Sequence, residues 1–288
     1  MSSSVPITVR PLTRADIPSA DELRALAGWN QTIADWERIL ALDPSGSFAA
    51  EVEGRLLGTT TTLLHEGGVA WIGMVLVHPD WRKRGIGKAL LVRALARLEA
   101  VGAACIKLDA TPAGKPLYDG LGFRVQWTLS RWERGPASLL QGLVGKRVRA
   151  MEPCDREAVA ALDRAAFGVS RGPLFLELER RGNRMLVHES DGGVTGFGMV
   201  RAGARAAQLG PVVARTAEAG RALVTELLSK RASERVFWDI PDPNLDAVLI
   251  AKALGFHPVR PLTRMVQGEE RSPGDPALEL APADLAHG

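Results

Sequence analysis

An almost unbroken apolar run from Val69 to Val77 reads as a central strand covered on both faces. Ahead of it, Ile7 to Leu12 reads as a strand and Asp16 to Ala27 as a helix. Thr32-Ile33-Ala34-Asp35 has capping-box spacing before the apolar positions Ile33, Trp36, Ile39 and Leu40, which predicts a second helix. Ser47 to Glu51 and Leu56 to Leu64 read as two strands joined by a turn at Glu53-Gly54, the later one rich in β-branched threonine. After the apolar run comes a helix with Leu90, Leu91, Ala94, Leu95 and Leu98 on one face, Arg93 and Arg97 opposite, and Gly102 closing it. Cys105 to Leu108 returns as a strand. This order describes an α/β protein with a mixed sheet and helices on both faces.

The pattern then repeats. Val9-Arg10-Pro11-Leu12, Asp16 and a helical pattern through Leu23 and Leu26 recur as Val148-Arg149-Ala150-Met151, Asp155, Val159, Leu162 and Ala166. Leu108-Asp109, a proline and a short helix ending at Gly122-Phe123 recur as Trp238-Asp239, prolines and a helix ending at Gly255-Phe256. Two copies of one fold are expected, over 1–140 and 141–268, with the junction near residue 140 between Arg134-Gly135-Pro136 and Gly145-Lys146. Residues 269–288 open with Glu269-Glu270-Arg271-Ser272-Pro273-Gly274-Asp275-Pro276 and read as a weakly ordered tail.

Composition narrows the classes. The 288 residues, 46% hydrophobic and 24% charged, suffice for two ordinary domains. A net charge of +3 is too slight to argue for a nucleic-acid surface. Cys105 and Cys154 form no Cys-x-x-Cys pair and no zinc spacing, so both read as core thiols and no metal is expected. Met1 to Pro6 lacks the charged and apolar regions of a leader, and no apolar stretch is long enough for a bilayer. A cytoplasmic protein without a membrane partner is expected.

The basic residues cluster once, where Arg82, Lys83, Arg84 and Lys88 fall within one short stretch. A strand ending at Val77, a basic loop with Gly85 and Gly87, and a helix beginning there make an anion site. Free amides and the positive helix end point at the ligand, and glycine lets the backbone approach phosphate oxygens. Such a site suits a pyrophosphate. A third glycine at dinucleotide-fold spacing is missing, as is a Gly-Lys-Ser/Thr loop, so those readings drop out.

Arg82-x-x-Gly85-x-Gly87 resembles the Q/R-x-x-G-x-G/A signature of the GCN5-related N-acetyltransferases, the GNAT family. The resemblance includes Val77-His78-Pro79-Asp80-Trp81 leading into the loop and Leu117-Tyr118-Asp119-Gly120-Leu121-Gly122-Phe123 beyond it, and spans about residues 5 to 135. It implies two tandem GNAT folds, each a mixed, mostly antiparallel sheet flanked by helices, with acetyl-CoA as co-substrate. It implies that Arg82, Lys83, Arg84, Gly85, Ile86, Gly87, Lys88 and Ala89 hold the pyrophosphate. The backbone of Met74, Val75, Leu76 and Val77 would face the acetyl group and pantetheine arm. Tyr118, the one tyrosine in the chain, stands where the family commonly places the acid that protonates the departing thiolate. The alternative is a tyrosine packed on a helix face. An alkyl amine titrates near ~10.4 and must lose a proton before it attacks. Many family members carry a glutamate on the central strand for this step, whereas Trp71 to Val77 has none. Glu66 is the nearest candidate base, with His65 beside it, against the reading of His65-Glu66-Gly67-Gly68 as a solvated turn.

On the acceptor side, Trp29, Asn30, Gln31 and Trp36 could form an apolar slot with fixed hydrogen bonds. Equally, Thr32 and Asp35 could cap the helix while the tryptophans pack in the core. The chain also resembles bacterial tandem GNAT proteins, within which Thr111, in Asp109-Ala110-Thr111-Pro112, would touch CoA or acceptor; alternatively Thr111-Pro112 simply ends the strand. In the second copy the glycine loop has no counterpart, Glu218 falls level with Gly85, and Ala251 takes the tyrosine position. That copy is expected not to acetylate, but to cover a sheet edge, complete the acceptor pocket or form a subunit contact, as in a homodimer. The expected activity is transfer of acetyl from acetyl-CoA to a primary amine of a small molecule by direct attack. Acetylation of a protein lysine or N-terminus, and a non-catalytic CoA sensor, are the alternatives.

Overall fold

The computed structural model describes residues 6–137, 147–270 and 273–288. The expected junction at residue 140 lies outside the described residues. The first copy comprises β1 (Thr8–Pro11), α1 (Ile17–Leu26), α2 (Ile33–Leu42), β2 (Ser47–Val52), β3 (Arg55–Leu64), β4 (Val69–Val77), α3 (Ile86–Ala100), β5 (Cys105–Ala110), α4 (Lys115–Asp119) and β6 (Arg124–Arg134). The second follows with β7 (Val148–Ala150), α5 (Arg156–Phe167), α6 (Gly172–Arg180), β8 (Leu186–Ser190), β9 (Gly193–Arg201), β10 (Ala207–Ala214), α7 (Ala217–Ser229), β11 (Val236–Pro241), α8 (Leu245–Ala253), β12 (His257–Gly268) and β13 (Glu279–Ala281).

The repeat seen in sequence is built on a repeated ion pair. Arg10 bonds Asp16 at 2.7 Å and, through Nε, Glu51 at 2.9 Å; Arg149 bonds Asp155 at 2.6 Å and Glu189 at 2.8 Å. In both copies the arginine on the first strand fastens the following turn to the neighbouring strand.

One sheet runs through the molecule in the order β1-β2-β3-β4-β5-β12-β6-β11-β10-β9-β8-β7. The copies therefore exchange their last long strands: β12 of the second pairs with β5 of the first, and β6 of the first pairs with β11 of the second. The expected division into contiguous halves runs across this exchange, because each half takes an internal strand from the other. Matching buried ion pairs hold both crossings. Arg264 on β12 donates to both oxygens of Asp109 on β5 at 2.8 and 2.9 Å, and Arg131 on β6 does the same to Asp239 on β11 at 2.8 and 2.7 Å. Bidentate pairing of this kind fixes register as well as charge. Arg264 also bonds Glu279 at 3.2 Å, so Arg264→Ala would leave buried Asp109 without its cation and Glu279 with Arg171 alone, 3.7 Å away. A loss of about 3–5 kcal/mol is expected, read as a fall in the urea midpoint.

The tail expected to be weakly ordered is instead part of the core. Its β13 pairs with β10, and Leu280, Ala281, Ala283 and Ala286 are buried. The local turn residues that suggested disorder lie between two buried anchors. Trp71 Nε1 donates to Leu285 O at 3.2 Å, and a Cβ on Gly73 would lie 2.5 Å from Ala286 O. The expectation of two core thiols also needs correction. Cys105 is buried, but Cys154 is exposed because it lies in the turn before α5, outside the packed face.

Candidate active site

The site begins where β4 parts from its neighbours. It pairs in parallel with β5 only over Val69, Ala70 and Trp71, so beyond that point the two strands diverge. On its other side, Gly73 pairs with Thr61 and Leu76 with Thr59, leaving Met74 and Val75 opposite Thr60 alone. This is a β-bulge, and Met74 takes a positive φ of 48° within it. Thr59 Oγ1 donates to Met74 O at 2.8 Å and pins the distortion. The bulge interrupts the β3–β4 ladder just beyond the point where β4 and β5 part.

The gap between β4 and β5 is a cleft of about 640 Å³. Val75, Leu76 and Val77 form one wall; Trp81, Arg82, Lys83, Gly85, Ile86, Gly87 and Lys88 form the mouth; Asp109, Thr111, Leu117 and Tyr118 face them, with Trp29. Gly85 is the N-cap of α3 with φ 88°, a conformation for which glycine carries no Cβ penalty, and nothing lies within 4 Å of where its Cβ would be. Gly87 serves closeness instead, since a Cβ there would sit 3.2 Å from Leu117. Two glycines and flanking cations at the start of a long helix are the make-up expected of an anion cradle. Arg84 turns away to stack on Trp81, 4.8 Å from the ring centroid, and Ala89 does not line the cleft.

The cleft continues inward to a recess of about 30 Å³ lined by Trp29, Gln31, Gly73, Met74, Asp109, Thr111 and Tyr118, together with Arg260, Leu262 and Leu285. The last three belong to β12 and the C-terminal segment. The exchange of strands thus carries second-copy side chains into a first-copy site, a contribution that local sequence pattern does not signal. Tyr118 lies where cleft and recess meet. It is buried, with its ring 6.0 Å from Phe123, and burial raises its hydroxyl above the usual phenol value, so it is protonated at neutral pH.

Other expected site residues are placed elsewhere. Glu66 is exposed beyond the opposite end of β4 and pairs with Arg164 at 3.5 Å; it lines neither cleft nor recess. His65 packs edge-on against Phe167, and burial holds its imidazole down to about 3. Asn30 is engaged structurally: its oxygen accepts from the Arg205 and Ala206 amides, and its nitrogen donates to Ala206 O and Gln208. Trp36 is fully buried in the core, while Thr32 and Asp35 form the capping box. Trp29, Gln31 and Thr111 do reach the site. Asp35, Asp284 and His287 bring ligand-type atoms within 4.8 Å of one another, but Arg38 and Arg201 already hydrogen-bond this group and supply its positive charge.

The second copy has the same splay with a different occupant. β10 pairs with β11 only over Ala207 to Leu209 and is irregular between Leu209 and Val212. The gap beyond is filled by β13 and Pro282, whose carbonyl oxygen would lie 2.0 Å from a Cβ on Gly210. At the start of α7, Thr216 Oγ1 accepts from the Ala219 amide at 3.2 Å, so the cap is closed by the chain's own side chain.

A bulged, splayed central strand beside a two-glycine helix start, with a tyrosine across the gap, defines an acyltransferase site. Residues 16–123 match the acetyltransferase (GNAT) family model, and residues 159–277 match a second model described as acetyltransferase (GNAT) domain. An acetyltransferase of Sodalis glossinidius is 39% identical over 108 residues, 35% of this chain and 72% of that protein. A putative acetyltransferase of Pyrococcus horikoshii superposes with a TM-score of 0.83 at 24% identity, covering 98% of this chain and 96% of that one. A tandem GNAT protein from the clavulanic acid biosynthesis pathway superposes with a TM-score of 0.67 at 20% identity, covering 97% and 100%. The chain belongs to the GNAT family of acetyltransferases and carries two GNAT domains.

Proposed function

We propose that the first copy transfers the acetyl group of acetyl-CoA to a primary amine of a small molecule, by direct attack. The observation that carries this reading is the continuity of one cleft, from the basic two-glycine loop past the Met74 bulge to Tyr118 and the recess. Arg82, Lys83, Lys88 and the amides from Gly85 would hold the pyrophosphate, and the β4 backbone would receive the pantetheine arm and polarise the thioester carbonyl. The amine nitrogen adds to that carbonyl, the carbon–sulfur bond breaks, and the thiolate takes its proton from Tyr118. Asp109 is the one carboxylate among the described residues lining cleft and recess. It takes the place for which Glu66 was expected: burial raises its carboxyl, the direction a proton acceptor requires, while Arg264 opposes this.

The small recess, walled by Leu262 and Leu285, favours a small acceptor over a protein segment. In the second copy, the filled splay and the self-capped helix support a role in completing the acceptor pocket without catalysis of its own. Acetyl-CoA is expected to raise the melting temperature of the wild-type protein, and Gly85→Glu is expected to abolish that shift by placing a strained carboxylate in the anion cradle. An equal shift in the variant would overturn the assigned loop. Thiol release across a panel of amines separates the enzyme from a sensor, which would show the shift and no release.

A further inference from the structure

Arg260, partly buried on β12, and Arg134, buried on β6, both lack a carboxylate partner among the described residues, and of the two only Arg260 lines the recess. Arg131 and Arg264 each hold a carboxylate by two hydrogen bonds, whereas the Arg260 side chain makes no hydrogen bond or ion pair with any described residue. Its Nε is buried without a partner. It stands on β12 directly across from Arg131, in register, and lines the recess with Leu262 two residues further along the same face. Burial and then the neighbouring Arg131 lower its guanidinium to about 10, which still leaves it charged at neutral pH. Asp239 is near enough to favour the charge, but both its oxygens are already taken by Arg131.

A partly desolvated cation that no carboxylate of the described residues pairs favours an anion in the space in front of it. The carboxylate on the recess wall cannot serve, since Asp109 is held at both oxygens by Arg264. Gln31, buried and free of side-chain hydrogen bonds to the described residues, also lines the recess and offers an amide to its contents. The recess therefore presents a matched carboxylate at Asp109 and an unmatched cation at Arg260, with Tyr118 among its lining.

Resting on the acetyltransferase reading, we propose that the acceptor is an amine bearing an anionic group, a carboxylate or phosphate, which binds Arg260 while its amino group faces Asp109 and the thioester. A guanidinium fits either anion by paired N–H donors. Polyamines and aminoglycosides, with further positive charges, are excluded from this site by the same cation.

The test uses the full chain with saturating acetyl-CoA, which keeps added anions off the glycine loop. Thiol release is measured for glycine and glutamate, for phosphoethanolamine, and for ethanolamine and spermidine as acceptors without an anion. The anionic amines are expected to react, and the better of the carboxylate and phosphate arms identifies the group. Arg260→Gln is expected to raise KM for that acceptor by about 10- to 100-fold, the worth of a charge-assisted hydrogen bond. Its KM for acetyl-CoA should not change. Binding is read independently of turnover, as the rise in melting temperature that N-acetylglycine and inorganic phosphate give in the presence of CoA, expected in wild type and lost in Arg260→Gln. Preferred turnover of ethanolamine or spermidine, or the same response of variant and wild type to both anions, would overturn the assignment while leaving acetyl transfer intact. Failure of acetyl-CoA to bind would instead count against the underlying activity.

Discussion

Tyr118→Phe is expected to lower kcat on the order of 100-fold or more while leaving the acetyl-CoA-induced rise in melting temperature in place. The substitution removes one oxygen from a side chain whose ring already packs on Phe123, so the fold has little reason to change. What it removes is the protonated hydroxyl at the meeting of cleft and recess. The departing thiolate, whose conjugate thiol titrates near ~8.5, would then have to wait for a proton from water. Burial raises Tyr118, so its neutral form persists as pH rises through the alkaline range in which the acceptor amine sheds its proton. The wild-type rate is therefore expected to climb with pH on the amine's titration, without a descending limb from tyrosine near its ordinary value. A fully active Phe variant would remove Tyr118 from the mechanism.

A chain ending at residue 140 is expected to be insoluble or to lack a cooperative unfolding transition. Such a chain retains β1 to β6, yet β5 loses the neighbour with which it is registered from Thr263↔Ala110 to Gly268↔Cys105. Asp109 is left without Arg264, Trp71 without its Leu285 acceptor, and β6 without either partner. Unpaired strand edges and an isolated buried carboxylate each favour aggregation or unfolding. Circular dichroism and a thermal melt of the 1–140 fragment provide the check. A folded fragment with a sharp transition would mean that β6 can close against β5 when β12 is missing.

Much of the first copy was legible because its signals are local. The apolar run at Val69 to Val77, the capping box at Thr32 and the two-glycine loop depend on spacing within one turn or strand, and each is found where spacing placed it. The repeated arginine was legible for the same reason. The exchange of β6 and β12 was not, because alternation tells which face of a strand is buried and says nothing about which strand lies beside it. Asn30 and Trp36 were ambiguous in kind: an amide or an indole suits a ligand pocket and a domain contact equally, and here the partners are the backbone of Ala206 and the core. Arg260 carried no signal at all in sequence. Its meaning arises from the lack of a carboxylate opposite it, which only the packing of three distant segments can reveal.

The C-terminal segment connects the two halves in a further way. Leu280 and Pro282 fill the crevice of the second copy, and a few residues later Leu285 and Ala286 form part of the floor of the first. One short thread is thus a stopper at one opening and masonry at the other. Emptying the second crevice to build another catalytic centre would draw the same thread out from under Trp71 and Gly73, so a new site there could be opened only by dismantling the recess wall of the first copy.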